Sequence, residues 1–343
     1  MSDVKMWHCD QMTNAFYYAQ DQSQGTDMKD HTTHANVGKF SDPFITAKGE
    51  TRASVALTNP KTLWVNTGTL CNIECVNCYI ESSPTNDALV YFPRADLVNY
   101  LDQVAERGWP IEEIGFTGGE PFMNADMIDM ARDSLERGYR VLILTNAMLP
   151  MMRRAVKQGL MELKADFGDR LTLRISLDHW SEKLHDKERG AGSFEKSLIG
   201  MRWLRDQGIT MAVAGRTVWG ETDADARAGY AALFEREGFG IDAFNPATTV
   251  LFPEMDETVE VPEITTACWA ILDKSPDAMM CASSRMLVRR KGAGKPSVLA
   301  CTLLAYDPQF ELGDTLAEAE KPVQLNHPHC AKFCVLGGAS CSA

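Results

Sequence analysis

The sequence predicts an α/β fold: a partial (βα)6 barrel of the TIM-like kind, with a small C-terminal domain after it. Three observations predict it. Short apolar runs alternate with helical segments from Thr62 to Phe244. A glycine, the usual left-handed stop, stands just past four of those helical segments, at Gly108, Gly138, Gly208 and Gly238. Repeated strand–helix units supply the crossovers that a parallel sheet requires.

In chain order, residues 1–58 are polar and weakly periodic and read as an N-terminal extension, either an irregular arm or an ordered cap. Leu63-Trp64-Val65 opens the barrel region, residues 59–250, as its first strand. Pro93–Arg107 reads as a helix with Leu97, Leu101 and Val104 on one face. Ile111–Phe116 is the next strand. Asn124–Arg137 is a helix with Asn124 as its N-cap. Arg140–Leu144 and Leu171–Leu177 are strands. Ser193–Gln207 is a helix capped by Ser193. Met211–Val218 is a strand, Thr222–Glu237 a helix, and Ile241–Phe244 the start of a sixth strand. The C-terminal domain, residues 251–343, is broken by Pro253, Pro262 and Pro276. It carries a β-hairpin, Met286–Arg290 and Val298–Leu304 around a Gly/Lys turn, and ends in a tail rich in Cys, His and Gly.

The chain of 343 residues is long enough for one large α/β domain or a medium domain with a small one, and 45% hydrophobic residues allow a proper core. A net charge of −13 disfavours a general basic surface, so no nucleic-acid partner is expected. Met1–Asp10 lacks the apolar run of a secretory signal, and no stretch approaches the roughly 18 apolar residues of a membrane span. A cytoplasmic protein without a membrane partner is expected. In that compartment clustered cysteines bind metal or do redox work more often than they form disulfides.

Ten cysteines are present. Cys71, Cys75 and Cys78 sit in a C-x3-C-x2-C loop after the first strand, at the C-terminal ends of the barrel strands, where such folds carry their function. Three thiolates so close can hold three corners of a [4Fe–4S] cluster and leave one iron open. A partial zinc site is the rival reading. Gly118-Gly119-Glu120-Pro121 follows the next strand, one βα unit later. Glycines there expose backbone, and a glutamate there can accept from an ammonium group.

These residues resemble the radical S-adenosylmethionine (SAM) superfamily. The cysteine loop and Gly118–Pro121 are joined by Thr145-Asn146 at a strand end and by Ser176-Leu177-Asp178. His185-Asp186-Lys187-Glu188-Arg189 and Gly192-Ser193-Phe194 complete the pattern of the subgroup that includes anaerobic sulfatase-maturing enzymes. The resemblance covers roughly residues 60–245. It implies a [4Fe–4S] cluster whose open iron chelates the amino and carboxylate groups of SAM. Reductive cleavage then gives a 5′-deoxyadenosyl radical that abstracts hydrogen from substrate. Glu120 and the Gly118–Gly119 backbone, with Pro121 and Asn146, would bind the cofactor. Ser176 and Arg189 would reach its carboxylate or ribose, an arginine suiting a carboxylate because its fork is bidentate; a surface salt bridge is the other reading of Arg189. The family's position before the third cysteine is usually aromatic. Here it is Asn77, with Tyr79 just after as the aromatic cofactor contact, and Ala147 replaces the family's glycine after Asn146.

Cys281, the hairpin and Cys301 resemble the opening of SPASM or twitch domains, which hold auxiliary iron–sulfur clusters. Cys330, Cys334 and Cys341 supply further thiolates, implying a second [4Fe–4S] cluster with one cysteine spare or an unassigned five-cysteine arrangement. A zinc ribbon joined by His327 and His329 is the alternative there. Cys268 is expected to be a buried thiol, and Cys9 structural or free. Asp178, Arg216 and Asn245 stand at strand ends facing the barrel mouth, where structural hydrogen bonding is the preferred reading, and no catalytic acid or base is assigned.

The expected function is hydrogen abstraction from a small-molecule substrate, with net oxidation assisted by the auxiliary cluster. The alternative is modification of a peptide or protein, by crosslinking, epimerisation or maturation. A non-catalytic zinc or iron–sulfur binding protein is a distant third reading. A flavodoxin or ferredoxin is the expected reducing partner.

Overall fold

The computed structural model describes residues 38–253 and 259–337. Among the described residues the first strand is a short one, β1 (Ser54–Val55), and one large sheet follows. Six strands lie parallel in sequence order: β2 (Thr62–Asn66), β3 (Glu113–Thr117), β4 (Arg140–Thr145), β5 (Leu171–Ser176), β6 (Thr210–Arg216) and β7 (Thr249–Phe252). This is the expected partial barrel. Its parallel register runs Val65↔Phe116, Phe116↔Ile143, Ile143↔Leu173, Ile175↔Val213 and Val213↔Thr249. Long helices return between the strands: α1 (Arg94–Arg107), α2 (Met127–Glu136), α3 (Arg154–Phe167), α4 (Glu182–Arg189), α5 (Ser193–Asp206) and α6 (Asp223–Glu237).

The C-terminal segment extends the same sheet. β8 (Ser284–Val288) lies parallel to β2 on its free side, and β9 (Ser297–Leu299) and β10 (Glu311–Gly313) follow antiparallel. β11 (Val323–Gln324) pairs with β1 in a separate two-stranded ribbon. The segment before β2 is therefore tied into the fold from Arg52 onward. Arg52 is buried, ion-pairs with Glu263 at 2.5 Å and donates to the carbonyl oxygens of Asp42 and Ile45. Residues 1–37, with Trp7, Cys9 and Phe16, lie outside the described residues.

Burial explains most element boundaries. Leu97, Leu101 and Val104 of α1 are buried as expected, and Gly108, Gly138, Gly208 and Gly238 all take positive φ past helix ends. Four expectations need correction. Ile241–Phe244 is a turn, because the Asp242 side chain accepts from the Phe244 N–H and the carbonyl of Asn245 from Thr248 and Thr249; the sixth strand starts at Thr249. Asn124 is not an N-cap. Its amide donates to the carbonyls of Thr67 and Phe92, tying the start of α2 to the end of β2. Ser193 is the first helical residue of α5; the Asp186 carboxylate serves that N-terminus, accepting from Gly192 N, Phe194 N and Ser193 Oγ. The second hairpin strand stops at Leu299 and does not run on to Leu304. Residues 149–167 form a short turn of helix and then α3, an element with no clear sequence signal because Gly159 interrupts it; a Cβ there would press on Ile128 of α2.

Candidate active site

The site grows from the ends of β2 and β3. Beyond β3 the chain keeps pairing with the loop after β2: Gly119 N–H donates to Gly68 O at 2.7 Å and Glu120 N–H to Leu70 O at 3.1 Å. Gly118, with φ of 141°, and Gly119 leave no room for side chains. A Cβ on the first would meet the Gly68 carbonyl, and on the second the Leu70 carbonyl, one residue before Cys71. The two glycines therefore seat the cysteine loop directly on the strand end.

The far side of that loop is held by α4 and β6. Glu188 accepts from Asn77 N and Asn77 Nδ2, both at 2.9 Å, and from Arg216 Nη1 at 2.8 Å. Arg216 Nη2 donates to Asn77 O at 3.2 Å, and Val76 N–H donates to the Glu188 carbonyl. Asn77, the position where the family usually has an aromatic, is thus a backbone and side-chain anchor between Cys75 and Cys78. Glu188 and Arg216 form an ion pair whose side chains are 5% and 11% exposed, a geometry in which either charge alone would be costly.

One cavity, about 1110 Å³ including its open mouth, collects the parts. Cys71, Cys75 and Cys78 line it, with Tyr79, Gly118, Gly119, Asn146, Ser176 and Arg189. Of the expected cofactor contacts, Glu120 and Pro121 lie behind the wall. Glu120 is buried and accepts from Thr145 Oγ1 (2.8 Å), Asn146 N (2.9 Å) and Phe122 N (3.2 Å). Burial nevertheless pushes its carboxyl up to about 7, against the pull of those bonds. Arg189 holds Asp178 in a two-point ion pair at 2.5 and 3.1 Å. Burial is the largest influence on Asp178 and raises it, yet Arg189 outweighs burial and keeps that carboxyl below its ordinary range. Asp178 and Arg216 do face the cavity. Asn245 does not: its side chain accepts from Ala247 N in an exposed turn.

Sequence reasoning missed several cavity residues. Arg174 comes from the interior face of β5, Phe252 from the end of β7, and Leu303 and Phe333 from the C-terminal segment. Alternation along β5 from Ser176 would have pointed to Arg174. Nothing local marks Phe333, which reaches the site by stacking on Phe252 with centroids 5.7 Å apart.

The donor set of the loop fits a cubane cluster. Burial raises the Cys71 thiol to about 12 and the Cys75 thiol to about 11, so a bare thiolate is disfavoured there and a bound metal would supply the missing positive charge. Ser82 N–H points to Cys78 Sγ at 3.3 Å, a contact of the kind that tunes cluster sulfurs. Among the described residues no three Cys, His, Asp or Glu side chains converge on one ion position. A cubane, whose irons sit on separate corners, does not need them to.

The second cysteine set gathers elsewhere. Cys281 sits on a short helix, Met280–Ser283, just before β8. Cys301 follows β9, and Cys330 and Cys334 share a π-helical turn, Cys330–Leu336. Burial raises the Cys330 thiol well above its ordinary value, and the nearby Cys301 and Cys281 add to the rise. Leu303 N–H donates to Cys301 Sγ at 3.3 Å. π-Turns recur at functional sites. Cys341 lies outside the described residues. Cys268 is buried against Thr265.

Residues 65–228 of the chain match the Radical SAM superfamily. The family uses a [4Fe–4S] cluster together with SAM. Among curated proteins, the chain is 30% identical over 145 residues to the antilisterial bacteriocin subtilosin biosynthesis protein AlbA of Bacillus subtilis, covering 42% of this chain and 30% of that protein. It is 31% identical over 159 residues to the AdoMet-dependent heme synthase of Methanosarcina barkeri, covering 44% of this chain and 41% of that protein. The matches thus span less than half of either relative. Among solved structures, Streptococcus suis SuiB bound to S-adenosylmethionine shares the fold at a TM-score of 0.53 and 14% identity, over 82% of this chain and 68% of that one. The anSMEcpe structure with bound AdoMet does so at 0.52 and 15% identity, over 76% and 77%. No helix among the described residues is long and apolar enough to cross a membrane.

Proposed function

We propose that the chain is a radical SAM enzyme that abstracts hydrogen from a small-molecule substrate, with a second, auxiliary cluster taking up an electron in a net oxidation. The observation that carries the reading is the convergence of Cys71, Cys75, Cys78, Gly118, Gly119, Asn146, Ser176 and Arg189 on one cavity. Cys71, Cys75 and Cys78 would hold the catalytic cluster, which with SAM supplies radical chemistry when bound. The Gly118–Gly119 backbone and Tyr79 would border the cofactor. Ser176 and Arg189 would face its carboxylate or ribose, Arg189 being held in place by Asp178. Glu120, set behind Gly119 with Pro121, would complete the ammonium pocket while fixing Asn146. Phe252 and Phe333 would close the cavity side and keep water from the reacting centre.

The auxiliary cluster would draw on Cys281, Cys301 and Cys330, with Cys334 or Cys341 as the fourth ligand. A flavodoxin or ferredoxin would deliver the first electron. The peptide-modifying alternative is favoured by one observation, the likeness to AlbA, a protein of bacteriocin biosynthesis. Anaerobic reconstitution tests the core reading. About eight irons per chain and release of 5′-deoxyadenosine from SAM with dithionite are expected. A colourless preparation that binds zinc instead would overturn it.

A further inference from the structure

Arg285 is among the largest fully buried side chains of the protein, 1% exposed, on the second residue of β8. Its Nε donates to Ala319 O at 2.8 Å, and its Nη1 donates to Cys281 O at 2.6 Å and to Ser284 O at 2.8 Å. Its Nη2 is buried without a hydrogen-bond partner. Every acceptor it has is a neutral carbonyl, and no carboxylate pairs with it among the described residues. Three other arginines in the interior do have a carboxylate: Arg52 pairs with Glu263, Arg189 with Asp178 and Arg216 with Glu188. A fully buried cation without a counter-charge is expensive enough that proteins rarely keep one.

The missing negative charge has an obvious address. Arg285 lies four residues after Cys281 and is bonded to that residue's own carbonyl, at the edge of the group formed by Cys281, Cys301 and Cys330. Thiol protons leave when such a group binds metal, and a cubane held by four thiolates is an anion. We propose that Arg285 is the built-in counter-ion of the auxiliary cluster, a positioning residue that stabilises its reduced state. The proposal rests on the auxiliary-cluster reading given above. The physical step is simple: one-electron reduction adds a negative charge to the cluster, and a fixed cation a short distance away in a low-dielectric interior favours that form. The orphaned Nη2 then has an acceptor, a cluster sulfur or a cysteine sulfur.

The test uses the full chain with Cys71, Cys75 and Cys78 all changed to Ala, so that only the auxiliary site remains. About four irons per chain in this background are expected; their absence refutes the auxiliary cluster itself, before Arg285 is at issue. In the same background Arg285→Gln keeps hydrogen-bond donors and removes the charge, and Arg285→Lys keeps the charge. The readout is the reduction midpoint from a redox titration followed by electron paramagnetic resonance. For Arg285→Gln the reduced-to-oxidised ratio at fixed potential is expected to fall at least about tenfold, equivalent to about 59 mV for a one-electron couple, with Arg285→Lys close to the parent. Loss of iron in Arg285→Gln alone, while its metal-free form still melts cooperatively, supports the same role. An unchanged midpoint in Arg285→Gln with iron retained, or equal loss of iron in both variants, overturns it.

Discussion

Glu120 and His185 set opposite pH responses from buried positions. Burial raises Glu120 to about 7, so folding costs progressively more as pH rises from its unfolded value near 4.5 toward 7. His185 is fully buried against Phe194, and burial lowers it to about 4. The folded protein holds it neutral, so stability is lost as pH falls from its unfolded value near 6.5 toward 4. Each effect is about 3 kcal/mol in size, and across about pH 4.5 to 6.5 the two largely cancel. Glu120→Gln should therefore unmask a stability that climbs by about 3 kcal/mol over that window, measured by denaturant titration of metal-free protein. A flat profile in the variant would show that Glu120 is not the raised group. Gly119→Ala acts at the same scale. Its Cβ must displace the Leu70 carbonyl, so a loss of about 1–3 kcal/mol is expected, together with poor iron uptake by the Cys71 loop.

At the scale of elements, the loop between Cys75 and Cys78 depends on α4 and β6 through Glu188. Asn77→Ala removes the Nδ2 donor from a buried carboxylate and should cost about 1–3 kcal/mol. The backbone N–H of residue 77 still donates to Glu188, which places the loss toward the lower end. Arg216→Leu leaves Glu188 buried and uncompensated and should cost about 3–5 kcal/mol. In both variants iron at the Cys71 loop should turn labile to chelators while the auxiliary iron stays, which a timed chelation assay separates. The elements that were legible in the sequence share a cause. β2 to β6 are bounded by apolar runs, and their helices by glycine stops that need only local geometry. The Ile241–Phe244 turn and α3 were not legible. One depends on an Asp242 side-chain bond that mimics a backbone turn, and the other tolerates Gly159 only because α2 packs against it. The same division runs through the site. Cysteine spacing and Gly118–Glu120 announce themselves within a few residues, whereas Asn77–Glu188–Arg216 is assembled from three distant segments that no spacing links.

Over the whole molecule, the unexpected feature is that the C-terminal hairpin joins the barrel sheet through β8 and β2. Arg52, holding Glu263 and the carbonyls of Asp42, Ile45 and, at 3.4 Å, Leu325, locks the segment before β2 to the C-terminal segment. Arg52→Met should lower stability by about 3–5 kcal/mol by leaving Glu263 without its partner. The loss should appear as a single cooperative melt, not as early release of the C-terminal part. Two separate transitions would mean that the shared sheet does not couple them.

That shared sheet also gives the protein a direction. β2 and β8 run parallel in register, Thr62 beside Ser284 and Val65 beside Leu287. The Cys71 loop leaves the far end of β2, whereas Cys281 stands before the near end of β8, and antiparallel β9 carries Cys301 back to that same near end. Cys71, Cys75 and Cys78 thus follow one end of this strand pair, and Cys281 and Cys301 stand at the other, with a strand of five residues between, about 16 Å at 3.3 Å per residue. The cavity is lined by Cys71, Cys75 and Cys78 and also by Leu303, two residues past Cys301. On the function proposed above, charge delivered at one end of this strand pair and collected at the other would pass the substrate on its way.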